Sequence, residues 1–147
     1  MIYLTPEDLN TVISEAHLEQ VIEGDQSILD SAELSAIGEI TAYLNIRYDA
    51  ALCFDRLLIT PDPPTHNGYN GISTVIQMLV DITLFHALAR IMPDNIPTLR
   101  EKRYRNAIDW CDKVSDGFIA PVLPIKANEP TTPLRYGNSS TKSNQYF

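Results

Sequence analysis

The sequence STVIQMLVDITLFHALARIM, residues Ser73–Met92, places apolar side chains on nearly every side of one helix. A helix with this pattern must be covered all round, and Pro93 ends it because proline cannot continue the backbone hydrogen bonding of a helix. Asp81, His86 and Arg90 interrupt the apolar run, which favours a buried central helix over a membrane span. The stretch therefore predicts an all-α fold built around residues 73–92.

A long amphipathic helix is predicted before the central helix, over residues 27–48. Its apolar positions share one face and recur at helical spacing, at Leu34, Ile37, Ile40, Leu44 and Tyr48. The polar side chains of Glu33, Glu39 and Asn45 are expected to lie off this stripe. Gly38 costs about 1 kcal/mol relative to alanine inside a helix, and a close helix crossing is expected to compensate for it.

Two short helices are expected at the start of the chain. The sequence Thr5-Pro6-Glu7-Asp8 is typical of a helix start, because Thr5 can accept a backbone N–H bond and proline suits the first helical position. Ser14 has the same capping chemistry, and Gly24 is expected to close the helix that follows it. Together these patterns predict a small bundle of about four helices.

The last predicted helix, Leu99–Asp116, has four basic residues in its first half: Arg100, Lys102, Arg103 and Arg105. Positive charge near a helix N-terminus opposes the helix macrodipole by roughly a few tenths of a kcal/mol. An acidic partner is therefore expected, from the acidic first half of the same chain or from a neighbouring copy, with a solvated basic face as the alternative. We take these four residues as candidate inter-subunit contacts.

The formal net charge of −8 is unevenly distributed along the chain. Residues 1–55 contain eleven acidic residues and a single basic one, Arg47, whereas residues 56–117 are balanced and residues 118–147 carry a net charge of +2. Tight nucleic-acid binding requires clustered lysine and arginine, so this distribution argues against it. An acidic surface would instead let DNA pass without sticking, or would simply aid solubility.

Two segments rich in proline and glycine are predicted to lack regular structure. Residues 55–71 form a long loop that we expect to contact a partner. Residues 118–147 contain four prolines and too few apolar residues to fold alone, so we expect an extended arm that partners order on contact; packing on its own body is the alternative. The predicted division is a helical domain, 1–117, and an arm, 118–147. The candidate partner-binding residues of the arm are Phe118, Ile119, Leu134, Arg135, Tyr136, Tyr146 and Phe147.

Motifs typical of catalysis, nucleotide binding and zinc binding do not occur in this sequence. Asp81 and His86 are five positions apart, which places them about 140° apart around a helix and pointing away from each other. Asp81 is expected to bond to Gln77 or to a cation on a packed helix, and His86 to be a satisfied polar residue near Arg90. The sequence thus predicts a protein that is not an enzyme and that has no cofactor and no metal site.

Cys53 and Cys111 are the only cysteines, and their spacing suits buried free thiols better than a disulfide or a metal site. Residues 1–11 lack the basic and then apolar pattern of a signal peptide. We therefore expect the chain to be made and kept in a cytoplasm and not to enter a membrane.

Four stretches, taken in order, resemble the small helical head-to-tail connector proteins of tailed bacteriophages and are similar to the phage Mu neck protein group. They are Tyr3–Leu9, Ala36–Tyr48, Phe85–Arg90 and Arg103–Cys111. The specificity of the resemblance lies in the order of these stretches, the extended arm and the chain length. Two segments depart from the family pattern: loop 55–71 is longer, and the polar tail beyond about Ile125 lacks a counterpart.

The resemblance implies a ring of identical subunits, twelve-fold, beneath the portal vertex of the capsid. Such a ring extends the DNA channel and joins the capsid to the tail, and DNA passes through it without specific binding. The implied partners are other copies of the chain, the portal protein, and tail or further neck proteins. The implied location is the neck of the virion, after assembly in the cytoplasm of the bacterial host.

Two other functions are compatible with the residues alone. One is a small helical regulatory or peptide-binding module, in which loop 55–71 forms the binding site and the tail is a flexible linker. The other is an enzyme without a recognisable motif. No feature of the sequence favours either of them over a structural protein of an assembly.

Overall fold

The computed structural model of the chain describes residues 1–60 and 67–127. Within these ranges the fold is all-α, as the sequence predicts. Its five helices are α1 (Pro6–Asn10), α2 (Glu15–Ile22), α3 (Gln26–Leu44), α4 (Gly71–Ile91) and α5 (Thr98–Asp116). Two short 3₁₀ helices, Leu52–Phe54 and Arg56–Leu58, follow α3, so part of the predicted loop 55–71 has local helical structure. Three long helices thus form an antiparallel bundle, to which two short ones are added.

Helix α4 is the centre of this bundle, as its sequence predicts. It packs against α3 and α5 along its length and also contacts α1 and α2. Twelve of its residues are buried. By length and composition α4 could cross a membrane, but 61% of its most apolar 18-residue window is buried by the rest of the chain. This burial is typical of the core helix of a bundle.

The start of α1 has the predicted cap and an additional ion pair. The Thr5 side chain accepts a bond from the Asp8 N–H, and the Asp8 carboxylate accepts one from the Thr5 N–H at 2.8 Å. The Asp8 carboxylate also binds both terminal nitrogens of Arg56, at 2.5 and 3.2 Å. Partial burial alone would raise the pKa of Asp8, but the bonds from Arg56 and Thr5 outweigh it and hold that pKa below its usual value.

The buried face of α3 differs from the predicted stripe. Leu34 is exposed and Glu33 is fully buried, so both of these expectations were wrong. The residues of α3 that are buried are Leu29, Ala32, Glu33, Ala36, Ile40 and Leu44. This stripe is displaced around the helix from the predicted one because α3 must face both the central helix and the N-terminal segment of the chain.

The buried carboxylate of Glu33 holds the N-terminal segment. It accepts backbone N–H bonds from Ile2, Tyr3 and Leu4, at distances of 2.5 to 2.7 Å. The N-terminal ammonium group lies 2.5 Å from Asp30, one turn earlier on α3. Three charge-assisted bonds satisfy the carboxylate inside the core, so the burial of this acid is compensated by its hydrogen bonds.

The close approach expected at Gly38 is absent, because a Cβ atom built at this exposed position would meet nothing within 4 Å. The tight positions lie elsewhere. A Cβ atom at Gly71 would lie 2.7 Å from the Val122 carbonyl oxygen, and Gly117 ends α5 with a φ of 82°. Both glycines lie where residues 118–127 pass over the helical bundle.

Residues 118–127 cross the end of the bundle at which α3 and α5 end and α4 begins. The Gly71 N–H donates to the Val122 carbonyl oxygen at 3.1 Å, and Tyr48 and Ile125 form an antiparallel bridge. Between these two attachments the Leu123 side chain is buried. The backbone of this segment is therefore held by the end of the bundle through bonds within one chain.

Residues 118–127, the first part of the predicted arm, pack on the body of the same chain. The division after Gly117 stays a prediction. Residues 128–147 lie outside the described part of the chain, as do residues 61–66 of the predicted loop. The ordering of residues 128–147 by partners stays a prediction.

We expect Glu33→Gln to lower the free energy of unfolding by about 2 kcal/mol. A hydrogen bond to a charged group contributes about 1.5–3 kcal/mol to stability, and the amide has one acceptor oxygen fewer and no charge. Urea unfolding followed by far-ultraviolet circular dichroism measures this change. The matched control is Glu19→Gln on the exposed side of α2, for which we expect a change within about 0.5 kcal/mol. Equal losses in the two variants would show that the Glu33 carboxylate does not hold the N-terminal segment.

Candidate interaction surface

The basic residues at the start of α5 do not form one surface. Arg103 turns inward, and its Nε donates to Oδ1 of Asp81 on α4 at 2.7 Å. Asp81 is buried, so this pair lies between the two helices. The expectation that Asp81 binds a cation on a packed helix is confirmed. The acidic partner of Arg103 comes from the central helix, whereas the sequence pointed to the first half of the chain.

The other three candidate inter-subunit residues have different surroundings. Arg100 is partly buried and donates to the Val12 carbonyl oxygen at 3.0 Å. Its pKa is lowered, mainly by burial and then by the charge of Arg103. Lys102 and Arg105 are exposed, and Arg105 pairs with Glu101 on the same helix. Of the four predicted contacts, Lys102 and Arg105 are thus the two that face outward. The inter-subunit role of all four stays a prediction.

A polar network missed by the sequence analysis joins the three long helices. Glu39 on α3 lies 2.8 Å from Nε2 of His86 on α4, and its other oxygen accepts a bond from the Tyr104 hydroxyl of α5 at 2.8 Å. Partial burial and the bond to Glu39 raise the pKa of Tyr104 to about 12, so this phenol stays protonated. The Phe85 ring stacks on Tyr104 with centroids 4.0 Å apart. His86 is satisfied as predicted, and its partner is Glu39.

A cleft of about 370 Å³ lies between α1, the second 3₁₀ helix and α4. It is lined by Asp8, Thr11, Arg56, Ile59, Ser73, Ile76, Gln77 and Val80. The two charged side chains of its wall, Asp8 and Arg56, already bind each other. Across residues 1–60 and 67–127, no group of three or more His, Cys, Asp or Glu side chains is placed to hold a metal ion.

The two cysteines are buried free thiols, as predicted. Burial raises the pKa of Cys53 to about 11 and that of Cys111 to about 12. The thiolate is the reactive form of cysteine, so both groups are poor nucleophiles at neutral pH. Cys53 and Cys111 therefore act as small apolar side chains of the core.

Exposed apolar side chains collect at the end of the bundle that residues 118–127 cross. Of the ten large hydrophobic residues that are exposed in the described part of the chain, five lie on segments that meet there. We call these five residues the end patch: Ile46, Leu52, Phe118, Val122 and Ile125. Phe118 is 85% exposed, Ile125 74% and Ile46 63%. Single exposed apolar side chains are normal on a protein surface, whereas several on adjoining segments favour a surface that another molecule covers.

Only two of the seven predicted arm residues lie in the described part of the chain. Phe118 belongs to the end patch, whereas Ile119 is half-buried and packs against the core. The other five lie beyond residue 127, outside the described ranges: Leu134, Arg135, Tyr136, Tyr146 and Phe147. No periodicity or motif in the sequence indicates that Ile46, Leu52 and Val122 lie at the same end of the bundle as Phe118.

The fold and these surfaces define a small all-α bundle protein, and half of the large apolar residues exposed in its described part lie at one end. The family model described as Bacteriophage Mu, Gp36 matches residues 3–138 of the chain. Because this match spans nearly the whole sequence, the chain belongs to the Bacteriophage Mu Gp36 family, and the resemblance seen in the sequence is confirmed. It is accordingly a bacteriophage protein related to the virion.

The extent of the family match corrects one expectation. We expected the chain to depart from the family pattern beyond about Ile125. The match continues to residue 138, so this expectation was wrong for residues 126–138. No curated protein and no solved structure gives a significant match to the chain. The structural description therefore rests on this chain itself.

We expect Arg103→Met to lower the free energy of unfolding by about 2 kcal/mol, because it leaves the buried Asp81 carboxylate without its cation. Arg105→Met is the matched control on the same helix, and its surface pair predicts a change of less than about 0.5 kcal/mol. Urea unfolding of both variants, and of each combined with Asp81→Asn, measures the coupling. Additive effects of Arg103→Met and Asp81→Asn would contradict a direct pair.

Proposed function

We propose that the protein is a structural component of the virion that forms a ring at the head-to-tail interface, below the portal. In this position the ring extends the DNA channel and joins the capsid to the tail. The observation that carries the proposal is the end patch on a chain of the Bacteriophage Mu Gp36 family. A protein of an assembly needs surfaces that other chains cover, and the end patch has the composition of such a surface.

The distribution of charge supports a ring with a channel. Residues 1–46 contain no basic residue, and the acidic side chains of α1, α2 and their flanking turns are exposed: Glu7, Glu15, Glu19, Glu23 and Asp25. Such a surface repels DNA phosphates, which suits a channel that DNA traverses without binding. The outward cations Lys102 and Arg105 would then face acidic groups of the next subunit, in a head-to-tail contact that repeats until the ring closes.

The protein acts in this proposal through contacts with the portal and with tail or neck proteins, and it needs no catalysis, cofactor or membrane. The hydrogen bonds of three acidic side chains support this proposal. Asp81, Glu39 and Asp8 each bind a side chain of another helix, so their role in the described structure is to join helices. A twelve-fold ring is the form that the resemblance implies. Its place in the virion would be the neck, reached after assembly in the host cytoplasm.

Electron microscopy of the tagged full-length chain, purified from cells that make the complete phage particle, tests this proposal. We expect end-on views to show a closed ring attached to a larger portal-like body, and the views fix the number of subunits. A monodisperse monomer without a co-purifying partner would contradict the proposal and favour a small binding module.

Charge reversal tests the role of the outward cations. We expect the double variant Lys102→Glu and Arg105→Glu to abolish ring formation, because like charges facing each other across an interface cost roughly several kcal/mol. The helical circular dichroism should not change, because both side chains are exposed. Lys113→Glu is the control, since Lys113 is also exposed on α5 but lies outside the basic run. A double variant that still forms rings would remove Lys102 and Arg105 from the interface.

A further inference from the structure

The end patch is a surface of fixed shape. Ile125 is bridged to Tyr48, and the Lys126 N–H donates to the Arg47 carbonyl oxygen at 3.4 Å. The Arg47 guanidinium in turn donates to the Ser115 carbonyl oxygen at 2.9 Å, at the end of α5. These bonds tie together the segments that carry Ile46, Phe118 and Ile125. The exposed apolar side chains therefore lie on segments that hydrogen bonds join to one another.

The described part of the chain ends at this same surface. Ala127, the last described residue, is two positions after Ile125, and 20 further residues follow it. That segment contains four large apolar or aromatic residues: Leu134, Tyr136, Tyr146 and Phe147. An apolar surface and an unassigned segment with apolar side chains thus adjoin each other.

We propose that the end patch of each subunit binds residues 128–147 of the neighbouring copy. The contact would place side chains such as Leu134 and Tyr136 of one subunit on Ile46, Phe118 and Ile125 of the next. This inference rests on the proposed ring and goes beyond it, because it names the partner of the arm as a second copy of the chain.

The length of the chain after Ile125 puts a neighbouring subunit within its reach. Leu134 is nine positions after Ile125, and a stretch of that length spans at most about 30 Å. A body of this size has a radius of gyration of about 14 Å and so a diameter of about 35 Å. Residues 128–147 are therefore long enough to bring apolar side chains to the patch of an adjacent subunit.

In a closed ring every end patch would be covered by a segment of a neighbouring subunit. Every subunit supplies one segment and one patch, so a head-to-tail ring leaves no apolar patch uncovered and no segment without a site. An isolated subunit exposes the end patch. The contact would also link neighbouring subunits at a second place, in addition to the basic start of α5.

Cross-linking between two full-length variants tests the proposal. One variant carries Ile125→Cys and the other Tyr136→Cys, with different affinity tags, and both are produced together in cells that make the complete particle. A short bis-maleimide reagent then joins cysteines that lie close together. The native Cys53 and Cys111 are buried and do not compete. The control replaces Ile125→Cys by Leu99→Cys, which is also an apolar and exposed position but lies at the start of α5, at the opposite end of the bundle.

The proposal expects a product of two chains carrying both tags, about tenfold more abundant with Ile125→Cys than with Leu99→Cys. Three results would overturn it. The first is a cross-link confined to a single chain in the double variant Ile125→Cys/Tyr136→Cys. The second is attachment of Tyr136→Cys to another virion protein. The third is absence of the two-chain product while electron microscopy shows closed rings, which leaves the ring intact and rejects this contact alone. Absence of rings would count against the proposed function itself.

Discussion

Helix α4 is apolar on nearly every side, and the rest of the fold depends on the need to cover it. Two long neighbours, α3 and α5, cover only part of its circumference. The remainder is closed by short segments, which is why Leu4, Leu9 and Ile22 are as deeply buried as residues of the long helices. Leu123 completes the cover beyond the end of α5. Segments that would be peripheral in a larger protein therefore belong to the single core of this one.

Polar groups inside the bundle connect its parts at specific points. The Glu33 carboxylate joins the N-terminal segment to α3, and the Asp81–Arg103 pair joins α4 to α5. Glu39 contacts both of the other long helices through His86 and Tyr104. A buried carboxylate that loses its donors is costly, because its desolvation is no longer compensated. Three acidic residues thus add specific contacts between the parts of the bundle to the apolar packing.

The sequence predicted much of the fold and little of this alignment. The extent of α4 and α5, the caps at Thr5 and Ser14, and the free thiols could all be read from periodicity and local chemistry. The error at Glu33 and Leu34 arose because two apolar stripes are possible on α3. The spacing of Leu29, Ala36, Ile40 and Leu44 includes Glu33 in phase and was the available signal. The donors that satisfy the Glu33 carboxylate are the backbone N–H groups of residues 2–4. Tertiary structure brings them there, and periodicity carries no information about it.

The same limit explains why the end patch escaped the sequence analysis, which treated residues 118–147 as one arm. Leu123 and Pro124 are buried, whereas Val122 and Ile125, which flank them, are exposed. Two consecutive buried residues break the alternation of a regular strand, so periodicity does not separate the inward from the outward side chains of this segment. The segment covers part of the core with some of its apolar side chains and presents others to solvent. The feature that finishes the core of the subunit therefore also creates a surface that the subunit cannot cover by itself.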